Sequence, residues 1–320
     1  MKNTTVTRSK GQINVVLNRE NKRDKESLYR KEQPFGNTLA EKHEVLERME
    51  KELSSLVGLN DVKQLLKEVY AWLYINNCRK ENGLKSSRQS LHMIFKGNPG
   101  TGKTTVARLI AKLFHEMEVL SKGHLIEVER ADLVGEYIGH TAQKTREVLK
   151  KALGGVLFID EAYSLARGGE KDFGKEAIDT LVKAMEDQQH DFILILAGYG
   201  REMDYFLSLN PGLPSRFPIT IPFEDYSTEE LMEISEIMLA EREYQLSRQG
   251  EQKVRDYLRR IKGEQGKTFS NGRFVRNLIE QAIRTQAVRL LVEGKYDRQS
   301  LSTLQAEDFD FEKSRVQPFS

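Results

Sequence analysis

Gly97, Asn98, Pro99, Gly100, Thr101, Gly102, Lys103 and Thr104 follow one another in the order of a phosphate-binding loop. The three glycines let the backbone curl until consecutive N–H groups face one anion. Lys103 has the reach for the β- and γ-phosphates of ATP, and the Thr104 hydroxyl is placed to ligate Mg²⁺. Thr105 completes the set assigned to the nucleotide. Further on, Gly154 to Glu161 reads Gly-Gly-Val-Leu-Phe-Ile-Asp-Glu, four apolar residues ending on two carboxylates. Asp160 is suited to hold Mg²⁺ through water, completing the shell that Thr104 begins. Glu161 is the better candidate for polarising an attacking water.

Such groups need a strand, a loop and a helix to hold them. Met93, Ile94 and Phe95 precede the loop, and Val106, Ala107, Leu109, Ile110 and Leu113 follow it at helical spacing. That order puts the phosphates at a helix N-terminus. Apolar runs predict strands at 93–96, 125–129, 156–159 and 192–197. A fifth, at 217–223, is confined to an edge by Pro218 and Pro222. Helical stretches at 103–119, 141–152, 174–189 and 201–208 separate them. The alternation predicts an α/β fold, a five-stranded parallel sheet with helices on both faces and ligands at the C-terminal ends of the strands.

Upstream, Leu53, Leu56 and Val57, then Val62, Leu65, Leu66, Val69, Tyr70 and Leu73, predict two helices, with Asn60 or Asp61 suited to cap the second. After Asp225 no strand is expected. Stretches 228–246, 251–261 and 272–293 are helical in pattern, and Ser227 or Thr228 followed by Glu229 and Glu230 reads as a helix start. The chain is thereby divided into a charged arm (1–45), an α/β nucleotide domain (46–225), a small all-helical domain (226–297) and a polar tail (298–320).

The chain of 320 residues is 38% hydrophobic and 31% charged, and its net charge of +2 gives no global argument for nucleic acid or an anionic membrane. A single cysteine, Cys78, rules out an intrachain disulfide framework and fits a reducing compartment. No apolar run approaches the roughly 20 residues of a membrane span. The start Met-Lys-Asn-Thr-Thr lacks the apolar core of a signal peptide, so the cytoplasm is expected. His43-Glu44 and His115-Glu116 begin like a zinc-protease motif, but Glu47 and Val119 stand where its second histidine is needed.

The order of phosphate loop, Asp-Glu strand, arginine-bearing loop and helical domain resembles an AAA+ ATPase. The wording resembles the CbxX/CfxQ branch, in Glu136-Tyr-Ile-Gly-His140, Gly154 to Tyr163, Ala197-Gly-Tyr199, Asn210-Pro-Gly-Leu-Pro-Ser-Arg-Phe217 and Asn271-Gly-Arg-Phe-Val-Arg276. Within that branch the likeness is to members from spore-forming bacteria, which implies a role in sporulation. The resemblance implies a homo-oligomeric ring, a hexamer with ATP, that turns hydrolysis into work on a protein client. Arg216 would be the finger offered to a neighbour's γ-phosphate, a role suited to a planar, permanently charged group. Arg273 would be a second sensor of the γ-phosphate; Arg276 could share or replace it, or pair with Glu280. Tyr137, Ile138 and Gly139 would form a pore loop gripping the client, with ordinary packing the alternative. Tyr199 would be the first sensor or a packing residue. Val57, Gly58 and Leu59 would contact adenine or simply turn the chain between helices.

Two other function classes remain open. A nucleic-acid motor would use the basic residues of the arm and those after Val254, but no zinc module or stacking platform accompanies them, so nucleic acid is not the expected partner. A nucleotide-gated assembly scaffold would keep the site but turn over slowly.

Overall fold

The computed structural model describes residues 44–85, 89–137, 139–168, 172–188, 190–210, 212–265 and 269–311. The arm expected at 1–45 lies outside the described residues as far as 43. Helices α1 (Glu44–Ser54) and α2 (Asn60–Glu81) lead into β1 (Met93–Gly97), α3 (Lys103–Glu116), β2 (Leu125–Val128), α4 (Arg130–Leu133) and α5 (His140–Ala152). Next come β3 (Val156–Ile159), a 3₁₀ turn (Ala162–Ala166), α6 (Gly174–Asp187), β4 (Ile193–Gly198), α7 (Gly200–Leu209), a second 3₁₀ turn (Pro214–Arg216) and β5 (Ile219–Phe223).

All five strands are parallel, in the order β2-β3-β4-β1-β5. The proline-bearing β5 is indeed an edge. Its Ile221 and Phe223 point into the core while Pro222 is exposed. Alternation along each strand splits the apolar side chains between two cores. Met93, Phe95, Phe158 and Ile195 pack under α1, α2 and α3, while Ile94, Leu157, Leu194 and Leu196 pack against α5, α6 and α7. The fully apolar runs of β3 and β4 follow from burial on both faces.

The start of α2 departs from expectation. Gly58 and Leu59 both adopt left-handed backbone, and Lys63 N–H already donates to the Leu59 carbonyl. Asn60 is therefore the first helical residue, one place too late to cap, and no side chain caps this end.

A third core belongs to the C-terminal domain, built from α8 (Thr228–Ala240), α9 (Arg248–Gln265) and α10 (Asn271–Glu293). Ser227 caps α8 in a reciprocal box with Glu230. Two expectations are corrected here. A parallel pair of two-residue strands, β6 (Gln245–Leu246) and β7 (Thr303–Leu304), is present in the otherwise helical domain. Part of the expected tail also belongs to the domain: after α11 (Arg298–Ser302), Leu304 and Phe309 are buried in its core. The tail looks polar because its buried polar groups are satisfied. Gln286 donates to the carbonyls of Ser300 and Thr303, and Arg289 forks onto the fully buried Asp308 at 2.8 and 3.0 Å.

Candidate nucleotide site

Parallel strands present their C-terminal ends on one edge, so β1, β3, β4 and β5 deliver the Gly97 loop, Asp160, Tyr199 and Asp225 to the same place. There a cleft of about 800 Å³ runs between the sheet edge and the helical domain. Gly97, Pro99, Gly100, Gly102, Lys103, Thr104 and Thr105 line it, as do Asp160, Glu161, Tyr199, Arg273 and Arg276. Asn98 and the buried Thr101 act within the loop. Thr101 Oγ1 donates to the Asn98 carbonyl at 2.8 Å, which shapes the turn.

The loop sits against the N-terminus of α3, whose first N–H groups lack intrahelical partners. Lys103 Nζ donates to the carbonyls of Gly97 at 2.9 Å and Asn98 at 2.8 Å, folding back over the loop. Burial pulls its pKa below the ordinary lysine value, and the Asp160 carboxylate is the first influence opposing that shift. Gly100 is required by close approach. A Cβ there would lie 2.2 Å from the Ser270 carbonyl and 2.7 Å from the Arg273 amide, both backbone atoms of the helical domain.

Asp160 accepts from the Glu161 N–H at 2.9 Å. Glu161 itself is exposed and left-handed, at φ 45°, the turn that starts the 3₁₀ segment. Behind it Tyr163 is buried, with a phenol pushed up by burial first and by the Glu161 carboxylate second, so it stays a proton donor facing that carboxylate. Strand order puts β4 between β1 and β3, which is why Tyr199, half-buried, stands between the phosphate loop and the carboxylates.

The far end of the cleft is apolar. Leu56, Val57 and Leu59 on one side face Ile234, Ile237 and Met238 of α8 on the other. Gly58 does not line the cleft; a Cβ there would meet the Glu230 carboxylate at 2.3 Å, so glycine lets α8 close on this loop. Arg276 does not pair with Glu280, which takes Arg242 at 3.4 Å instead.

Three expected residues lie elsewhere. Arg216 pairs with Glu186 and donates to the Gly212 carbonyl at 2.6 Å, outside the cleft. Its own carbonyl accepts from Ser90 Oγ ahead of β1, at the opposite edge of the sheet. Tyr137 is 65% exposed and touches only His140 edge-on among described rings. Gly139, at φ 82°, starts α5, and Ile138 lies outside the described residues.

Sequence reasoning missed Asp225, Tyr226 and the full burial of Asn271, which tie the loop to the helical domain. The position of Asp225 just beyond a sheet strand was the available signal. It also missed His92, buried beneath Phe192 and Phe217 with Nδ1 accepting from Leu194 N–H. Desolvation, then the nearby His190, pushes its pKa down to about 4. Among the described residues no group of three or more His, Cys, Asp and Glu side chains could hold a metal by itself.

Residues 93–225 match the model of the ATPase family associated with various cellular activities (AAA), and 227–318 match the AAA lid domain. Stage V sporulation protein K of Bacillus subtilis is 61% identical over 96% of both chains. Protein CbbX of Cereibacter sphaeroides is 47% identical, over 83% of this chain and 85% of that one. The chloroplastic ribulose bisphosphate carboxylase/oxygenase activase of Cyanidioschyzon merolae is also 47% identical, over 83% of this chain and 90% of that one. Among solved structures, the FIGL-1 AAA domain in complex with ADP shares the fold at a TM-score of 0.56, with 17% identity over 82% of this chain and 84% of that one. With its AAA and lid domains in sequence, this chain belongs to the CbxX/CfxQ family of AAA+ ATPases.

Proposed function

We propose that the chain is an ATP-hydrolysing ring motor that remodels a protein client. The observation that carries this reading is the convergence of Lys103, Asp160, Glu161 and Arg273 on one cleft, while Arg216 sits outside it. ATP is the substrate that fits. The apolar end at Val57, Leu59, Ile234 and Ile237 suits a purine, and the loop from Gly97 to Thr105 at a helix N-terminus suits the phosphates.

The donor set also fits Mg²⁺: a hydroxyl on Thr104 and an oxygen-rich edge at Asp160, both facing the cleft. Thr104 and Asp160 would hold the ion, which would supply positive charge to offset that of the phosphates. Lys103 leaves the loop carbonyls to meet the phosphates. Glu161, exposed to the cleft, orients a water and takes its proton, with Tyr163 fixing the carboxylate. Arg273 binds the γ-phosphate from the lid, and Arg216 of a neighbouring copy binds it from across a ring contact. Tyr137 and Gly139, which flank Ile138 in sequence, face the ring axis, where the exposed aromatic grips the client. The Bacillus relative carries sporulation in its name, and we assign this chain to the same process, working in the cytoplasm as a hexamer.

Phosphate release from Mg-ATP tests the reading. The native chain is expected to turn over, Lys103→Ala to lose nucleotide binding, and Glu161→Gln to bind ATP without hydrolysing it. No release, with or without an unfolded polypeptide, contradicts the motor. Stimulation by DNA and not by polypeptide moves the chain to nucleic acid.

A further inference from the structure

One carboxylate beside the cleft has no ion pair among the described residues and no place in the chemistry above. Asp225, two residues beyond β5, accepts from Asn98 Nδ2 with both oxygens at 2.9 Å and from Asn271 Nδ2 with Oδ1 at 2.7 Å. Asn98 belongs to the phosphate loop and Asn271 begins α10 of the lid, two residues before Arg273. Among the described residues Asp225 forms no ion pair; its charge reaches Lys103 only at longer range, while its oxygens are taken by neutral amides, which a carboxylate holds more firmly than a neutral acceptor would.

Around this hub run one further bond within the lid and then two between the lid and the phosphate loop. Tyr226 N–H donates to Asn271 Oδ1 at 3.0 Å, Gly272 N–H to the Gly100 carbonyl at 3.0 Å, and Tyr226 Oη to the Thr101 carbonyl at 3.1 Å. Asn271 is fully buried and holds a left-handed φ of 46°, a backbone cost that its amide contacts offset. Within the lid the Asn271 amide also donates to the Phe269 carbonyl at 3.1 Å, so its bond to the half-buried Asp225 is the contact that lid closure adds.

We propose that Asp225 is a positioning residue: through Asn98 and Asn271 it latches the lid to the phosphate loop and so holds Arg273 in register with Lys103. The consequence for nucleotide choice rests on the reading of Arg273 as a γ-phosphate contact. A lid freed from the loop loses what Arg273 adds to ATP and leaves ADP, which the loop holds by itself.

Asp225→Asn and Asn271→Gly test the latch independently. The first keeps the shape and removes the charge; the second removes the amide and keeps the left-handed turn without strain. Each is made in a Cys78→Ser chain carrying spin labels at the exposed positions 150 and 292. The latch predicts a narrow inter-label distance in the parent that broadens in both variants, without nucleotide. It also predicts that ATP affinity falls about tenfold while ADP affinity stays within about twofold, the scale of one charge-assisted hydrogen bond. An unchanged distance distribution, or equal losses for ATP and ADP, overturns it. Arg273→Ala is the reference. If that variant keeps its preference for ATP, the γ-phosphate reading of Arg273 falls, and the label distances still decide the latch.

Discussion

The two ends of β5 teach different lessons. At its C-terminal end the chain runs through Asp225, which holds the phosphate loop at Asn98, to Tyr226, which lines a cleft whose other residues come from both domains of one chain. At its N-terminal end Arg216 is turned to a carboxylate on the surface and to its own turn. A five-residue strand spans roughly 17 Å, beyond the reach of an arginine side chain, so Arg216 cannot serve the cleft of its own chain. In the proposed function the cleft holds its nucleotide with the residues of one copy, while the Arg216 corner serves only another copy.

The largest effect expected from breaking this contrast is on turnover. If Arg216 is the proposed finger, Arg216→Ala should lower kcat by about 10³-fold or more with nucleotide affinity little changed, because such a finger acts on the transition state. Mixing it with Lys103→Ala should restore activity, since a functional cleft in one copy then meets an intact Arg216 in the other. Failure of the mixture to hydrolyse ATP would mean that Arg216 does not act across a contact.

A pH profile separates the same two regions by stability. His92 packs under Phe217, beside the Arg216 turn, and its pKa of about 4 lies below the ordinary 6.5. A depressed histidine contributes stability that is whole above pH 6.5 and is lost as pH falls toward 4. The full shift corresponds to about 3 kcal/mol. Urea unfolding at pH 7 and pH 4.5 should show the loss, and His92→Phe should flatten this part of it; an equal loss in the variant would place the sensitivity elsewhere.

The smallest effect concerns the pair that parks Arg216. Glu186 is well exposed, and pairs of this kind contribute about 0–1 kcal/mol. Glu186→Gln should therefore change the melting temperature hardly at all and raise kcat by no more than about fivefold through a freer Arg216. A collapse of activity would mean that Glu186 works at the ring contact itself.

What could be read from sequence divides along similar lines. The strands were legible because burial on both faces leaves apolar runs such as Val156–Ile159, and the phosphate loop because its backbone demands leave few residue choices. Local chemistry also sufficed for the Ser227 box. The lid's last segment was not legible, since Thr303 and Asp308 are buried with their polar groups satisfied by Gln245 and Arg289 and keep a polar pattern over a packed core. The latch at Asp225 was hidden for another reason: its partners are 127 and 46 residues away, and only the closed sheet and lid bring them together. Asn60 misled because two left-handed residues before it moved the helix start by one place.

The central claim is that a cleft completed by a neighbour's Arg216 makes this chain a ring. The most direct measurement is the mass in solution of Glu161→Gln, by light scattering on a sizing column, with Mg-ATP and without it. The account predicts a shift from small species to about six subunits only with Mg-ATP, which binds at subunit contacts and stabilises them. A monomer under both conditions would contradict it, and would remove the basis for the finger and the pore together.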